Sequence, residues 1–292
     1  MCTLQCTSRL SHCQNRFSHQ SEMKRKVALW KWLLLFVAAM VLSIIGYGLL
    51  MALAELGGIA LMNVIGAIVL LLLYALAVRL LERHWPADLP MRRLPAHLFL
   101  GLLTGALFMT AVVALIWAVG CCSIERAVTS WQEQLAAVSL FLCVAVGEEI
   151  MFRGVLFRWI DERWNTTAAL VVSALLFGLM HIFNTGATWW SSLAIAVEAG
   201  LLLAVAYKWS GTLWLPIGIH WAWNYVQGHV FGLAVSGESV EDTWLSTSVS
   251  GPDLLTGGDF GAEASVFSVV LGLALSILIL WRMKHNTIFD NG

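Results

Sequence analysis

Charge is what this chain lacks. Of its 292 residues only 12% are Asp, Glu, Lys or Arg, where a soluble globular domain carries about 25%. Hydrophobic residues make up 59%. That balance excludes an ordinary soluble domain and predicts an all-α, polytopic membrane protein. The formal net charge of −1 says little about partners, because the charges are sorted by side. The bilayer is the expected partner, and nucleic acid is not. A disulfide framework is also missing. Cys2, Cys6 and Cys13 lie in a polar N-terminal stretch with His12 and His19, at spacings that fit no zinc pattern. Cys121 and Cys122 are vicinal in a loop, and Cys143 falls in an apolar run. No cleavable signal peptide is evident, since the first apolar run is too long and lacks a cleavage site. No internal repeat is visible, which removes one support for a transporter of inverted-repeat design.

Long apolar runs fill the rest. A helix of about 20 apolar residues crosses a bilayer, and eight segments qualify: 28–53, 59–81, 97–120, 136–157, 165–183, 189–208, 212–234 and 264–282. They form one membrane domain over 27–284, between a polar tail (1–26) and a short C-terminal tail (285–292). Many of the 15 tryptophans sit near span ends, among them Trp85, Trp117, Trp131, Trp189 and Trp281, as in the aromatic belts of membrane interfaces. If the spans alternate, Lys24, Arg25, Lys26, Arg79, Arg83, Arg92, Arg93, Arg158, Arg163, Lys208, Arg282 and Lys284 all fall on one side. The positive-inside rule makes that side cytoplasmic and puts both termini there. The stretch 235–263 carries Glu238, Glu241, Asp242, Asp253, Asp259 and Glu263 without Lys or Arg. It is expected to face outward as a solvated, partly disordered connector.

A charged side chain at the bilayer centre costs at least ~2.5–3.5 kcal/mol on insertion scales, so polar residues inside these spans need a reason. The fourth segment ends GEEIMFRGVLFRW. Glu149 and Arg153 are i,i+4 and can pair on a helix. Glu148 points about 100° away, since a helix turns once in 3.6 residues, and is left available as a general base. A buried ion-pair cluster that locks two helices is the structural alternative. The fifth segment contains SALLFGLMHIFN, with a lone His181. At ~1.5 Å rise per residue, Glu148 and His181 both lie roughly 25 Å from the turn near Trp164, so antiparallel neighbours bring them to one depth. The seventh segment begins GTLWLPIGIHWAWNYVQG, where His220 and Asn224 share one face. They suit a metal, an oriented water or a developing oxyanion, or simply polar contact between helices. Glu198 is mid-span in the sixth segment, either a support for the site or a lone residue facing a polar cavity, and His229 lies nearer the outer end of the seventh. Glu148, His181 and His220 are predicted to converge on one cavity open to the cytoplasmic side.

Three motifs in this order, Glu148-Glu149-Ile-Met-Phe-Arg153, Phe177-Gly-Leu-Met-His181 and His220-Trp-Ala-Trp-Asn224, resemble those of the CPBP family. That family comprises the CAAX prenyl proteases and their bacterial relatives, once grouped with abortive-infection proteins. The resemblance spans roughly residues 136–232. It implies an intramembrane endopeptidase, usually termed a metalloprotease, with its active site inside the bilayer. Glu148 and His181 would activate water, and His220 and Asn224 would stabilise the oxyanion. Glu149 would belong to the same catalytic group, while Arg153 and Phe177 would support it. Glu148, His181 and His220 are the implied ligands if a divalent metal such as zinc takes part; a glutamate-activated water without metal is the other mechanism. The implied substrate is a lipidated or membrane-embedded peptide. The competing functions are a non-catalytic scaffold or bacteriocin-immunity protein of the same fold, and a proton- or metal-coupled transporter.

Overall fold

The computed structural model describes residues 58–289, with side chains to residue 285, and Trp30, Lys31, Leu34 and Val37 before them. The expected first span, 28–53, lies almost entirely outside the described residues. The other seven segments are all helical. They are α1 (Ile59–Glu82), α2 (Leu94–Ala118), α3 (Trp131–Arg163), α4 (Thr166–Phe183), α5 (Trp189–Ser210), α6 (Trp214–Tyr225) and α7 (Val266–Phe289). Among the described residues six helices are long and apolar enough, by length and composition, to cross a membrane. Helix α6 is shorter but continues as a π-helical turn, Val226–Val230. The protein is an all-α polytopic membrane protein.

Local chemistry explains the helix ends. Ser130 caps α3 by accepting the Glu133 N–H at 3.2 Å, and Asn165 caps α4 through the Ala168 N–H at 2.9 Å. Thr188 and Ser191 form a capping box at α5. Helix α5 stops at Gly211, whose φ of 64° suits glycine. The apolar faces that these helices do not bury against one another, such as Leu61, Leu72, Leu76 and Leu80 of α1, stay exposed, as a lipid-facing surface requires.

Helices α1 and α3 run in the same direction. Asn63 donates to Ser139 at 3.2 Å, Tyr74 to the Gly154 carbonyl at 3.2 Å, and Glu82 pairs with Arg158. The basic residues of the described helices thus gather at one end, held by Lys208–Asp161 at 2.7 Å and by Asp88, which accepts from both Tyr74 and Tyr207. Close backbone approach joins α2 to α6. A Cβ on Gly105 would lie 2.2 Å from the Ile219 carbonyl oxygen, and one on Gly101 2.4 Å from that of Leu215. Small residues at such crossings let helix backbones touch in membranes.

The opposite end departs from expectation. Two short strands, β1 (Cys122–Arg126) and β2 (Leu245–Val249), pair antiparallel from Cys122↔Val249 to Arg126↔Leu245. The acidic stretch is not a solvated connector. Leu233, Val235, Phe260, Ala262, Glu263 and Ala264 are buried. Val235 and Glu238 form a bridge closed by a two-residue turn in which Ser236 and Gly237 have φ of 51° and 85°, the signature of a type I′ turn. Only glycine fits second in that turn, because a Cβ there would sit 1.8 Å from the Thr185 carbonyl oxygen. The acidic residues drew attention from the small and apolar ones between them, and those pack the segment onto the helices.

Candidate active site

Three π-helical stretches mark the helices that build the site: Ile150–Phe157 in α3, Ala196–Leu201 in α5 and the extension of α6. A π turn shifts hydrogen bonding from i→i+4 to i→i+5, and such turns are often found at functional sites. Here two carbonyls of the α5 stretch serve the site. Arg153 Nη2 donates to the Ala199 and Gly200 oxygens at 3.2 and 3.0 Å. Its Nη1 donates to Glu149 Oε1 at 3.0 Å, and its guanidinium lies 4.6 Å from the centre of the Phe177 ring. Arg153 is 1% exposed and Glu149 0%, so this pair sits deep in the protein, where removal of either partner strands a charge.

The second carboxylate behaves differently. Glu148 forms no ion pair with Lys or Arg among the described residues, and its side chain keeps 30% exposure. Its Oε2 faces His220 Nε2 at 3.9 Å, while His220 Nδ1 contacts Glu149 Oε1 at 2.9 Å. A carboxylate held by arginine only accepts, so the proton on that contact belongs to Nδ1. One imidazole thereby joins both glutamates of the first motif, Nδ1–H to Glu149 and Nε2 toward Glu148.

His181 begins the last, tighter turn of α4, where its Nδ1 contacts the Phe177 carbonyl at 2.7 Å. A carbonyl also only accepts, so Nδ1 carries the proton and Nε2 is free to accept. The Phe177 ring lies between the two histidines, its centroid 4.9 Å from that of His181 and 6.2 Å from that of His220. Asn224 follows His220 by one turn and is also buried. The three motifs therefore converge. The i,i+4 pairing of Glu149 with Arg153 and the outlying position of Glu148 match the sequence reading, whereas the role of Glu149 as partner of His220 was not legible from spacing. Among the described residues no group of three or more His, Cys, Asp or Glu side chains is arranged to hold a metal ion.

Two further carboxylates stand beside this cluster. Glu198 is 0% exposed, accepts from Ser268 at 3.3 Å, and lies within electrostatic reach of Glu263. Glu263 is itself within reach of His220 and Glu148. The sequence reading left Glu198 outside the core of the site and put Glu263 in a solvated connector. The available signal was a glutamate flanked by alanines, Ala262-Glu263-Ala264, next to a span.

Fold and cluster together define a helical membrane protein with a buried Glu/His/Arg constellation drawn from three successive motifs. Residues 130–226 match the model of a family described as Rce1-like, the type II CAAX prenyl endopeptidases. That match supports the assignment of the chain to the CPBP/CAAX protease family. No curated protein and no solved structure matches the chain.

Proposed function

We propose that this protein is an intramembrane endopeptidase that hydrolyses a peptide bond in a lipidated or membrane-embedded substrate. The observation that carries this reading is the double engagement of His220, at 2.9 Å to Glu149 and 3.9 Å to Glu148. Arg153 balances the charge of Glu149. Glu148 has no such partner and serves as general base. It takes a proton from water as the water oxygen bonds to the substrate carbonyl carbon. When the C–N bond breaks, Glu148 returns that proton to the departing nitrogen.

His181 accepts a second hydrogen bond from the same water through its free Nε2 and so orients it. His220, in its form protonated on both ring nitrogens and with Nδ1–H tied to Glu149, donates from Nε2 to the carbonyl oxygen as that oxygen gains negative charge, and the Asn224 amide donates from the same helix face. Glu149 and Arg153 are positioning residues: one fixes the His220 ring, the other fixes Glu149. The name of the matching family specifies prenylated CAAX tails. For this chain the proposed class is broader, because a site walled by membrane-spanning helices suits any lipidated or transmembrane peptide.

The test is cleavage of lipidated and transmembrane peptides by the purified wild type and Glu148→Gln in detergent, with and without chelator. Cleavage that depends on Glu148 and ignores the chelator, in protein without bound metal, supports the chemistry above. Cleavage lost with chelator and restored by zinc would assign zinc to Glu148, His181 and His220 and withdraw the metal-free mechanism. Folded wild type that cleaves nothing would favour a scaffold. Proton or metal flux in vesicles altered by Glu148→Gln would favour a transporter.

A further inference from the structure

The turn at Ser236 joins the acidic segment to the site from several directions. Its N–H donates to Glu263 Oε1, its hydroxyl also bonds the Glu263 carboxyl, and its carbonyl accepts from Asn184 Nδ2 at 2.9 Å. Asn184 lies three residues past His181, and the His181 carbonyl accepts the Asn184 N–H at 3.1 Å. The neighbouring Gly237 N–H donates to the Phe260 carbonyl at 2.8 Å, and Trp190 Nε1 donates to the Ala264 carbonyl at 2.8 Å. Glu263 is 2% exposed. Ser236 is held at φ 51°, a conformation that strains a non-glycine residue and persists only where surroundings impose it.

We infer that Glu263 is a further positioning residue of this site, clamping the Ser236–Gly237 turn against the His181 end of α4 while presenting its carboxyl to His220 and Glu148, with Glu198 behind it. The inference rests on the peptidase reading above. The charged and titratable groups facing Glu263 come from three elements, Glu148 from α3, Glu198 from α5 and His220 from α6, and Ser268 of α7 donates to Glu198. Glu198 Oε1 has no hydrogen-bond partner among the described residues, and a carboxyl buried without a cation favours its neutral form, so Glu198 backs Glu263 without adding charge. In its ionised form Glu263 adds a negative charge beside His220 and Glu148, and in its neutral form it does not. The clamp and the charge are two effects of one side chain.

Glu263 lies just outside the spans. Burial pushes its carboxyl up to about 7, and Glu148 pushes the same way, while the bonds from Ser236 and the nearby His220 pull it down. Its charge therefore changes near neutral pH.

The experiment compares wild type, Glu263→Gln, Glu263→Asp and Glu198→Gln as full-length protein in nanodiscs. It records kcat and KM against pH on a lipidated peptide, and the infrared carboxyl band of Glu263 identified by difference from Glu263→Gln. Wild type should show an inflection near pH 7 that Glu263→Gln loses, with kcat affected more than KM. Glu198→Gln should leave the inflection in place, and Glu263→Asp should restore it in part. The infrared midpoint should move to lower pH in Glu148→Gln. That readout needs no cleavage, so it separates failure of this inference from failure of the peptidase reading. A pH profile unchanged in Glu263→Gln, or an infrared midpoint indifferent to Glu148→Gln, would overturn the inference and leave Glu263 a purely structural clamp. If Glu263→Gln does not fold, Glu263→Asp supplies the difference band, and the response of its midpoint to Glu148→Gln decides the matter.

Discussion

At the scale of the residue, two adjacent glutamates have opposite surroundings and so opposite parts to play. Glu149 is fully buried and shares Arg153 and His220. Glu148 keeps 30% side-chain exposure and meets His220 at 3.9 Å. Removing each should therefore fail differently. Glu148→Gln is expected to lower kcat by on the order of 10²–10⁴, the span of general-base contributions, with little change in thermal unfolding. Arg153→Ala leaves the Glu149 carboxylate buried without its cation, and breaking such a pair costs roughly 3–5 kcal/mol. Detergent-solubilised Arg153→Ala should unfold well below wild type, and Glu149→Gln/Arg153→Met should recover part of that loss. A Glu148→Gln protein that cleaves at the wild-type rate would remove Glu148 from the chemistry.

At the scale of the element, the site depends on how closely α2 meets α6. Gly105 faces the carbonyl of Ile219, the residue before His220. Gly105→Ala should push that backbone away, cost about 1–3 kcal/mol as overpacking does, and reduce kcat by displacing the imidazole. Both readouts should be measured against a Gly120→Ala control. A Cβ on Gly120 would meet no atom within 4 Å, but its φ is 77°, so that variant tests strain without crowding. The acidic segment supplies a pH prediction. Glu263 has a folded value near 7, above the ordinary carboxylate value of about 4.3. A raised folded value means that the folded state binds more protons between those limits, so the contribution of Glu263 to stability is complete below about pH 4 and is lost as pH rises through 7. The melting temperature of wild type should fall relative to Glu263→Gln across that window; parallel curves would contradict it. Helices and motifs were legible in the sequence because hydropathy and i,i+4 spacing are local. The π turns, the Glu149–His220 contact and the burial of Glu263 depend on which helices touch, and no local pattern carries that. The stretch 235–263 misled because its charge suggested solvent, although Val235, Phe260 and Ala262 between the charges were already apolar enough to anchor it.

At the scale of the whole molecule, the charges divide the two ends of the bundle. Arg79, Arg83, Arg92, Arg93, Arg158, Arg163, Lys208, Arg282 and Lys284 lie at one end, and at the other Arg126 stands among Glu125, Glu133, Glu238, Glu241, Asp242, Asp253 and Asp259. Cytoplasmic loops carry the excess of Lys and Arg, so the expected orientation puts the acidic segment on the outer face and residue 289, the last in the described helix, on the inner one. Reporter fusions should then give a cytoplasmic signal after residue 289 and an outer signal for an insertion at 250. At that end the acidic segment is tied to α4 through Ser236, which Asn184 and Glu263 hold. If that tie bars substrate from the outer end, a soluble lipidated peptide should be cut faster when offered to inside-out vesicles than to sealed right-side-out ones. Cleavage limited to right-side-out vesicles, with the same reporter topology, would mean that the acidic segment opens to admit substrate. The clamp at Ser236 would then be the element to loosen, and Glu263→Gln should speed entry from that side.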